Sequence, residues 1–316
     1  MAKRRMAVTI ILCLCFLLTP CYAMAASTTD ASEPINVNAE CTLTLSYTCN
    51  GKAFDDVSVK LYKVADVSSD FQYKLTSPFE KSALILNGVR TNGEWNVIRS
   101  TLEAHIVAEN IAADAIAKAD SKGIVCFEDL KPGLYLAVVG TVTQKDITCF
   151  FDSALVALPG LNTEGVPQYQ VTVASKSELI PPSDDEIELK VLKLWKGDGG
   201  SSARPTMIEI EIFRNGISYQ TATLSENNHW TYTWSTKDDG SDWKVVERNI
   251  PTGYTMTIEE RETSFVLTNT LNRDVPDNPD SSETGDTSNI MLWVLLMIVS
   301  GSMLIILGIK GKRKRV

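Results

Sequence analysis

Val191-Leu192-Lys193-Leu194-Trp195 is a β-branched and apolar run with a lysine at its centre. Side chains alternate across a strand, so Leu189, Val191, Lys193 and Trp195 share one face, three apolar and one cationic. Further on come Arg204-Pro205, then a second strand, Ile208–Phe213, closed by the turn dipeptide Asn215-Gly216. Asn228-His229-Trp230-Thr231-Tyr232, Trp243-Lys244-Val245-Val246-Glu247, Pro251-Thr252-Gly253-Tyr254 and Phe265-Val266-Leu267-Thr268-Asn269-Thr270 continue the pattern of strands and turns. Residues 186–271 therefore read as an all-β domain.

Two more strands repeat the oddity of the first. Trp243, Val245 and Glu247 share a face, as do Phe265, Leu267, Asn269 and Leu271. Each of the three strands sets one polar side chain among inward apolar neighbours. Lysine and glutamate are rarely buried without a partner, so Lys193, Glu247 and Asn269 are expected to meet in the core.

Upstream, the linker Pro181-Pro182-Ser183-Asp184-Asp185 (180–185) separates this domain from an earlier one at 35–179. There the strands Cys41–Tyr47, Val57–Val64, Ile124–Glu128, Leu134–Val139, Phe151–Leu158 and Tyr169–Ala174 are expected. One helix interrupts them, marked by Trp95, Ile98, Leu102 and Ile106 at helical spacing. The fold class is mainly β: two tandem sandwiches, the first with a helical insertion. Downstream, residues 272–289 hold Pro276, Pro279 and several acids and read as an extended stalk.

The ends carry processing signals. Lys3, Arg4 and Arg5, the apolar run from Met6 to about Leu18 and Ala23-Met24-Ala25 make residues 1–25 a signal peptide, cut after Ala25. The uncharged run 290–309 is long enough to span a bilayer, and Lys310, Lys312, Arg313, Lys314 and Arg315 in the tail 310–316 keep that end in the cytoplasm. Without 1–25 and 286–316, 22 basic and 38 acidic residues remain, a net charge of −16, which repels nucleic acid.

Four cysteines survive cleavage: Cys41, Cys49, Cys126 and Cys149. They allow three pairings. Cys41 and Cys49 fall on the inward face of one strand, with Leu43, Leu45 and Tyr47, and the expectation leans to buried free thiols. With only His105 and His229 present, no metal site or cofactor is expected. No nucleophile elbow, phosphate loop or Ser-His-Asp arrangement marks an enzyme.

Three resemblances follow from these stretches. Residues 186–271 resemble the B-type (Cna B-type) repeat of the collagen adhesin, in the order of its motifs. Gly123-Ile124-Val125-Cys126-Phe127-Glu128-Asp129-Leu130-Lys131-Pro132-Gly133-Leu134-Tyr135 resembles the hairpin of prealbumin-like domains in Gram-positive pilins and adhesins. Thr284-Gly285, an apolar span and a basic tail resemble a sortase sorting signal, although Ser281 and Ser282 stand where that family has Leu-Pro.

The first resemblance implies a spontaneous isopeptide bond between Lys193 and Asn269, with Glu247 moving the protons. Lys63 is a candidate amine in the earlier domain. No acid lies in Tyr135–Val139 and no asparagine in the last strand there, so no bond is expected. The third implies sortase cleavage between Thr284 and Gly285, with sortase and either peptidoglycan or neighbouring pilin subunits as partners, and the membrane before sorting. Pilin shaft subunits carry an acceptor lysine at a place similar to Lys176. Here Ala174-Ser175-Lys176-Ser177 keeps only the lysine of that motif, and an ordinary surface lysine is the plainer reading. The whole implies a cell-wall-anchored surface protein, pilin-like subunit or adhesin stalk. The alternative is an adhesin whose first domain binds a host matrix protein or glycan.

Overall fold

The computed structural model describes residues 33–199 and 204–272. The leader 1–25, the motif Thr284-Gly285, the apolar run 290–309 and the basic tail lie outside the described residues. Among the described residues no helix is long and apolar enough to cross a membrane.

The first part is built from β1 (Cys41–Ser46), β2 (Ser58–Val67), the helix α1 (Asn92–Glu109), β3 (Ala115–Lys118), β4 (Ile124–Leu130), β5 (Gly133–Val138), β6 (Gly140–Gln144), β7 (Ile147–Phe151), β8 (Ala154–Leu158), β9 (Gln170–Ala174) and β10 (Ser177–Ile180). One sheet runs β9-β1-β4, with β9 parallel to β1. The facing sheet runs β8-β5-β2, extended by the short strand Tyr73–Leu75, with β3 also on β2. A third sheet runs β10-β7-β6.

Alternation sets the core. Leu43, Leu45 and Tyr47 meet Val57, Val59 and Leu61 between the sheets. β5 is buried at nearly every position because its sheet is covered on both sides: Tyr135 and Ala137 face the sandwich, Leu134 and Leu136 face α1. The expected stripe on α1 holds, since Ile98, Leu102 and Ile106 pack on Tyr62, Val64 and Leu136. Thr91 caps the helix by accepting from the Glu94 amide at 3.2 Å, and the Glu94 carboxylate accepts from the Thr91 amide at 2.9 Å.

Three expectations need correction. The segment 123–135 is strand, turn and strand, but β4 pairs with β1 whereas β5 pairs with β2 and β8, so it arches between sheets and is not a hairpin. Gly133 fits that crossing because a Cβ there would lie 2.5 Å from the Ala65 carbonyl oxygen. The strand expected over Phe151–Leu158 breaks at Asp152, whose amide turns aside to the Lys176 carbonyl at 3.0 Å. Cys49 and Cys149 are not free thiols but a disulfide with Cα atoms 6.5 Å apart. Cys41 is free and buried; Cys126, outward on β4 between the inward Val125 and Phe127, is free and exposed.

The second part comprises β11 (Glu186–Lys196), β12 (Met207–Arg214), β13 (Ile217–Ser225), β14 (Thr231–Lys237), β15 (Trp243–Glu247), β16 (Tyr254–Arg261) and β17 (Ser264–Leu271). They form a two-sheet sandwich, β14-β11-β17-β16 over β13-β12-β15. β11 and β17, its first and last strands, are parallel neighbours. Val191, Ile210, Ile212, Val245, Ile258 and Leu267 fill the space between, all fully buried.

Candidate functional site

The parallel ladder places Lys193 beside Leu267 and Trp195 beside Asn269, so Lys193 and Asn269 sit diagonally on adjacent strands of one sheet. Glu247 comes from the opposite sheet, at the end of β15. All three are buried. The Lys193 Nζ donates to Glu247 Oε2 at 2.7 Å, and the Asn269 Nδ2 donates to Glu247 Oε1 at 3.0 Å. The carboxylate thus bridges amine and amide.

Asn269 Oδ1 is buried with no hydrogen-bond partner. A half-turn of the terminal amide exchanges its oxygen and nitrogen, which are not distinguished by shape. It would set the carbonyl oxygen on Glu247 Oε1, where a protonated glutamic acid can donate to it.

Aromatic rings close the site. The Trp195 ring centre lies 4.9 Å from Lys193 Nζ and meets Trp230 and Tyr254 edge-to-face at 5.3 Å each. The Arg204 guanidinium stacks 5.3 Å from Trp195 and is held by Asp198 through bonds of 3.0 and 2.7 Å. Burial under this cover pulls the Lys193 ammonium down to about 8, even though Glu247 beside it pushes the other way. The geometry therefore holds a weakly basic amine and a primary amide on the two oxygens of one carboxyl group, out of water. That set can exchange an amide nitrogen: the lysine attacks, the carboxyl group shuttles protons and ammonia leaves.

The remaining residues singled out in the sequence lie elsewhere. Lys63 Nζ is paired with Asp66 at 2.5 Å. Lys176 is exposed, in the bend between β9 and β10. His105 is half-buried with its Nε2 3.0 Å from the Pro78 carbonyl, and His229 is exposed in a turn. Among the described residues no group of His, Cys, Asp and Glu could hold a metal ion.

Sequence reasoning missed a second buried polar cluster. Lys244 Nζ lies 2.9 Å from Glu103 Oε2 on α1 and 3.1 Å from both Asp242 and Glu260. Arg99 Nη1 lies 2.5 Å from Glu103 Oε1. Burial would raise the Glu103 carboxyl, but Lys244 and Arg99 outweigh it and hold it below the usual range. The only signal was Lys244 in a strand whose alternate residues face the core, which reads as an ordinary outward lysine.

Residues 189–270 match the model of the Cna protein B-type domain. A collagen adhesin of Staphylococcus aureus is 28% identical over 102 residues, which is 30% of this chain and 9% of that protein; the match thus spans less than a tenth of the relative. A single B repeat unit of the collagen-binding surface protein of Staphylococcus aureus aligns at 17% identity over 74% of this chain and 99% of its own, with a TM-score of 0.27. The full-length major pilin SpaD of Corynebacterium diphtheriae aligns at 12% over 75% and 66%, with a TM-score of 0.29. Lys193, Glu247 and Asn269 all fall within the residues that match that domain model.

Proposed function

We propose that this chain is a structural protein of a Gram-positive cell surface, a pilin-like subunit or adhesin stalk, whose second sandwich is closed by an amide between Lys193 Nζ and Asn269 Cγ. The observation that carries it is the buried contact of Lys193, Glu247 and Asn269, at 2.7 and 3.0 Å. An amine-for-ammonia exchange uses this arrangement, a buried lysine, glutamate and asparagine with the Trp195 ring over the amine.

The steps balance. With the Asn269 amide turned so that its oxygen faces Glu247 Oε1, a proton moves from Lys193 Nζ to the Glu247 carboxylate and is carried on Oε1, giving a neutral amine and a neutral acid. The amine attacks Asn269 Cγ while Glu247 donates to its oxygen. Glu247 then carries a proton from the new secondary amine to the departing nitrogen. The Cγ–Nδ2 bond breaks, the Nζ–Cγ bond remains and one ammonia leaves. Holding the groups in contact supplies the effective concentration that makes an amide react without activation.

Export through residues 1–25 and transfer of Thr284 by a sortase to peptidoglycan or a neighbouring subunit complete this reading, with Lys176 as the candidate acceptor. The test is a proteolytic digest of the full-length chain, analysed by mass spectrometry. The expected product is a branched peptide joining the Lys193 and Asn269 segments, lighter than their sum by one ammonia and missing from Glu247→Ala. Two linear peptides at full mass in the wild type would sink the proposal.

A further inference from the structure

Among the described residues, one side of the second sandwich has no strand to close it. β15 ends one sheet and β16 ends the other, and no ladder joins them. Glu247 sits on β15, and β16 is the neighbour of β17, where Met256 pairs with Asn269. The seam that borders the reactive trio is therefore formed by two edge strands, and an open edge leaves amides unpaired and water close.

The helix α1, which belongs to the first part of the chain, fills that seam, packing against both β15 and β16. Ala104, 1% exposed, is part of the second sandwich's own core, with Val107 and Ala108 packed on it. These small side chains let the helix approach closely. The Thr101 hydroxyl accepts a hydrogen bond of 2.9 Å from the Ile258 amide, an edge donor of β16 that would otherwise have no partner, and donates to the Val97 carbonyl at 2.7 Å. Glu103 takes Lys244 at 2.9 Å, three residues before Glu247 on the same strand. Thr101, His105 and Ala108 line a cavity of about 150 Å³ together with Glu247 and Met256, so lifting the helix would open Glu247 to water.

We propose that α1 completes the reactive site of the second sandwich, with Thr101 and Glu103 as positioning residues for the strands that carry Glu247 and border Asn269. This inference rests on the amide bond proposed above. The second sandwich then matures only after the first part of the chain has folded and seated its helix. Cross-linking becomes a check on the assembly of the whole described unit.

The test follows the branched Lys193–Asn269 peptide in full-length chain harvested at short intervals after synthesis. Three variants are compared with the wild type. Ala104→Trp wedges the helix out, Thr101→Val removes only the hydroxyl, and Thr101→Ser keeps it. Misplacing reacting groups by an ångström costs up to about a hundredfold. Branching is expected to be roughly tenfold or more slower in Ala104→Trp and Thr101→Val, and near wild type in Thr101→Ser. Hydrogen exchange at the Ile258 amide is expected to rise in the two slow variants. Should Ala104→Trp not accumulate, Thr101→Val against Thr101→Ser still decides. A wild type that branches, with Thr101→Val branching equally fast, overturns the positioning role alone. A wild type that never branches overturns the bond and the positioning role together.

Discussion

Lys193 Nζ stands 2.7 Å from Glu247 Oε2, and neither side chain is exposed to solvent. At that separation the ammonium donates to the carboxylate and a proton can pass between them. Ammonium with carboxylate and amine with carboxylic acid are two arrangements of the same protonation state, and the second is the reactive one.

The rate of amide formation should then be flat with pH below the point at which Lys193, pulled down by burial to about 8, loses its proton to solvent. Above it no proton is left for the amine to hand on, and the rate should fall about tenfold per pH unit. Pulse-labelled chain sampled between pH 6 and 10 gives the profile. A rate that climbs steadily through pH 9 would show a free amine acting without the carboxyl proton.

Asn269→Ala removes the electrophile and leaves the lysine and glutamate buried without a bond. By analogy with a disulfide closing a loop of similar size, stability should fall by about 4–5 kcal/mol. Denaturant midpoints of the two proteins measure this. In the variant, Lys193 holds its proton less tightly folded than unfolded. The unfolded chain therefore binds more protons between about 8 and 10.5, and the variant should gain stability as pH rises through that window.

The disulfide spans a sequence separation of 100 residues, from Cys49 to Cys149. Cys49→Ser with Cys149→Ser should cost the first sandwich about 4–5 kcal/mol, with no effect on branching in the second. Alkylation of the native, unreduced protein should label Cys126 at once and Cys41 only on unfolding, since one is exposed and the other buried. Rapid labelling of four thiols would contradict the pairing.

Lys244→Met leaves Glu103 buried with Arg99 as its remaining close cation. Breaking one side of a buried ion pair typically costs about 3–5 kcal/mol. The double variant Lys244→Met with Glu103→Gln should recover part of it, because no charge is then stranded. Thermal unfolding of the four proteins makes the comparison. Additive losses would mean that the two side chains do not act together.

Lys176→Ala should abolish any covalent ladder of this protein in wall extracts while leaving the Lys193–Asn269 branch intact. Lys176 is exposed and sits in the first part of the chain, between β9 and β10, so a loss of both products would argue against separate roles.

The trio was legible in the sequence because alternation makes an inward polar residue conspicuous: Lys193 among Leu189 and Val191, Glu247 after Trp243 and Val245, Asn269 after Phe265 and Leu267. One face of α1 was legible for the same reason, through Ile98, Leu102 and Ile106. Its other face was not. Thr101, Ala104 and Ala108 carry little hydrophobic signal, and Glu103 reads as a solvated charge unless Lys244 is known to meet it. The arch at Lys131-Pro132-Gly133 was misread because a tight turn fixes only the local chain reversal. Which partners the two strands choose is decided by β1 and β2, far away in sequence. The cysteine pairing was hidden likewise, since inward alternation puts Cys41 and Cys49 on the same footing and only the fold brings Cys149 to one of them.

The parallel ladder between β11 and β17 fixes how the second sandwich would meet a pull on its two ends. The chain enters at the foot of β11 and leaves at the head of β17, so stretching shears the ladder lengthwise and strains its rungs together instead of unzipping them one by one. With the amide in place, force would cross from Lys193 to Asn269 and residues 194–268 would stay slack. Roughly 250 Å of contour length would never be paid out.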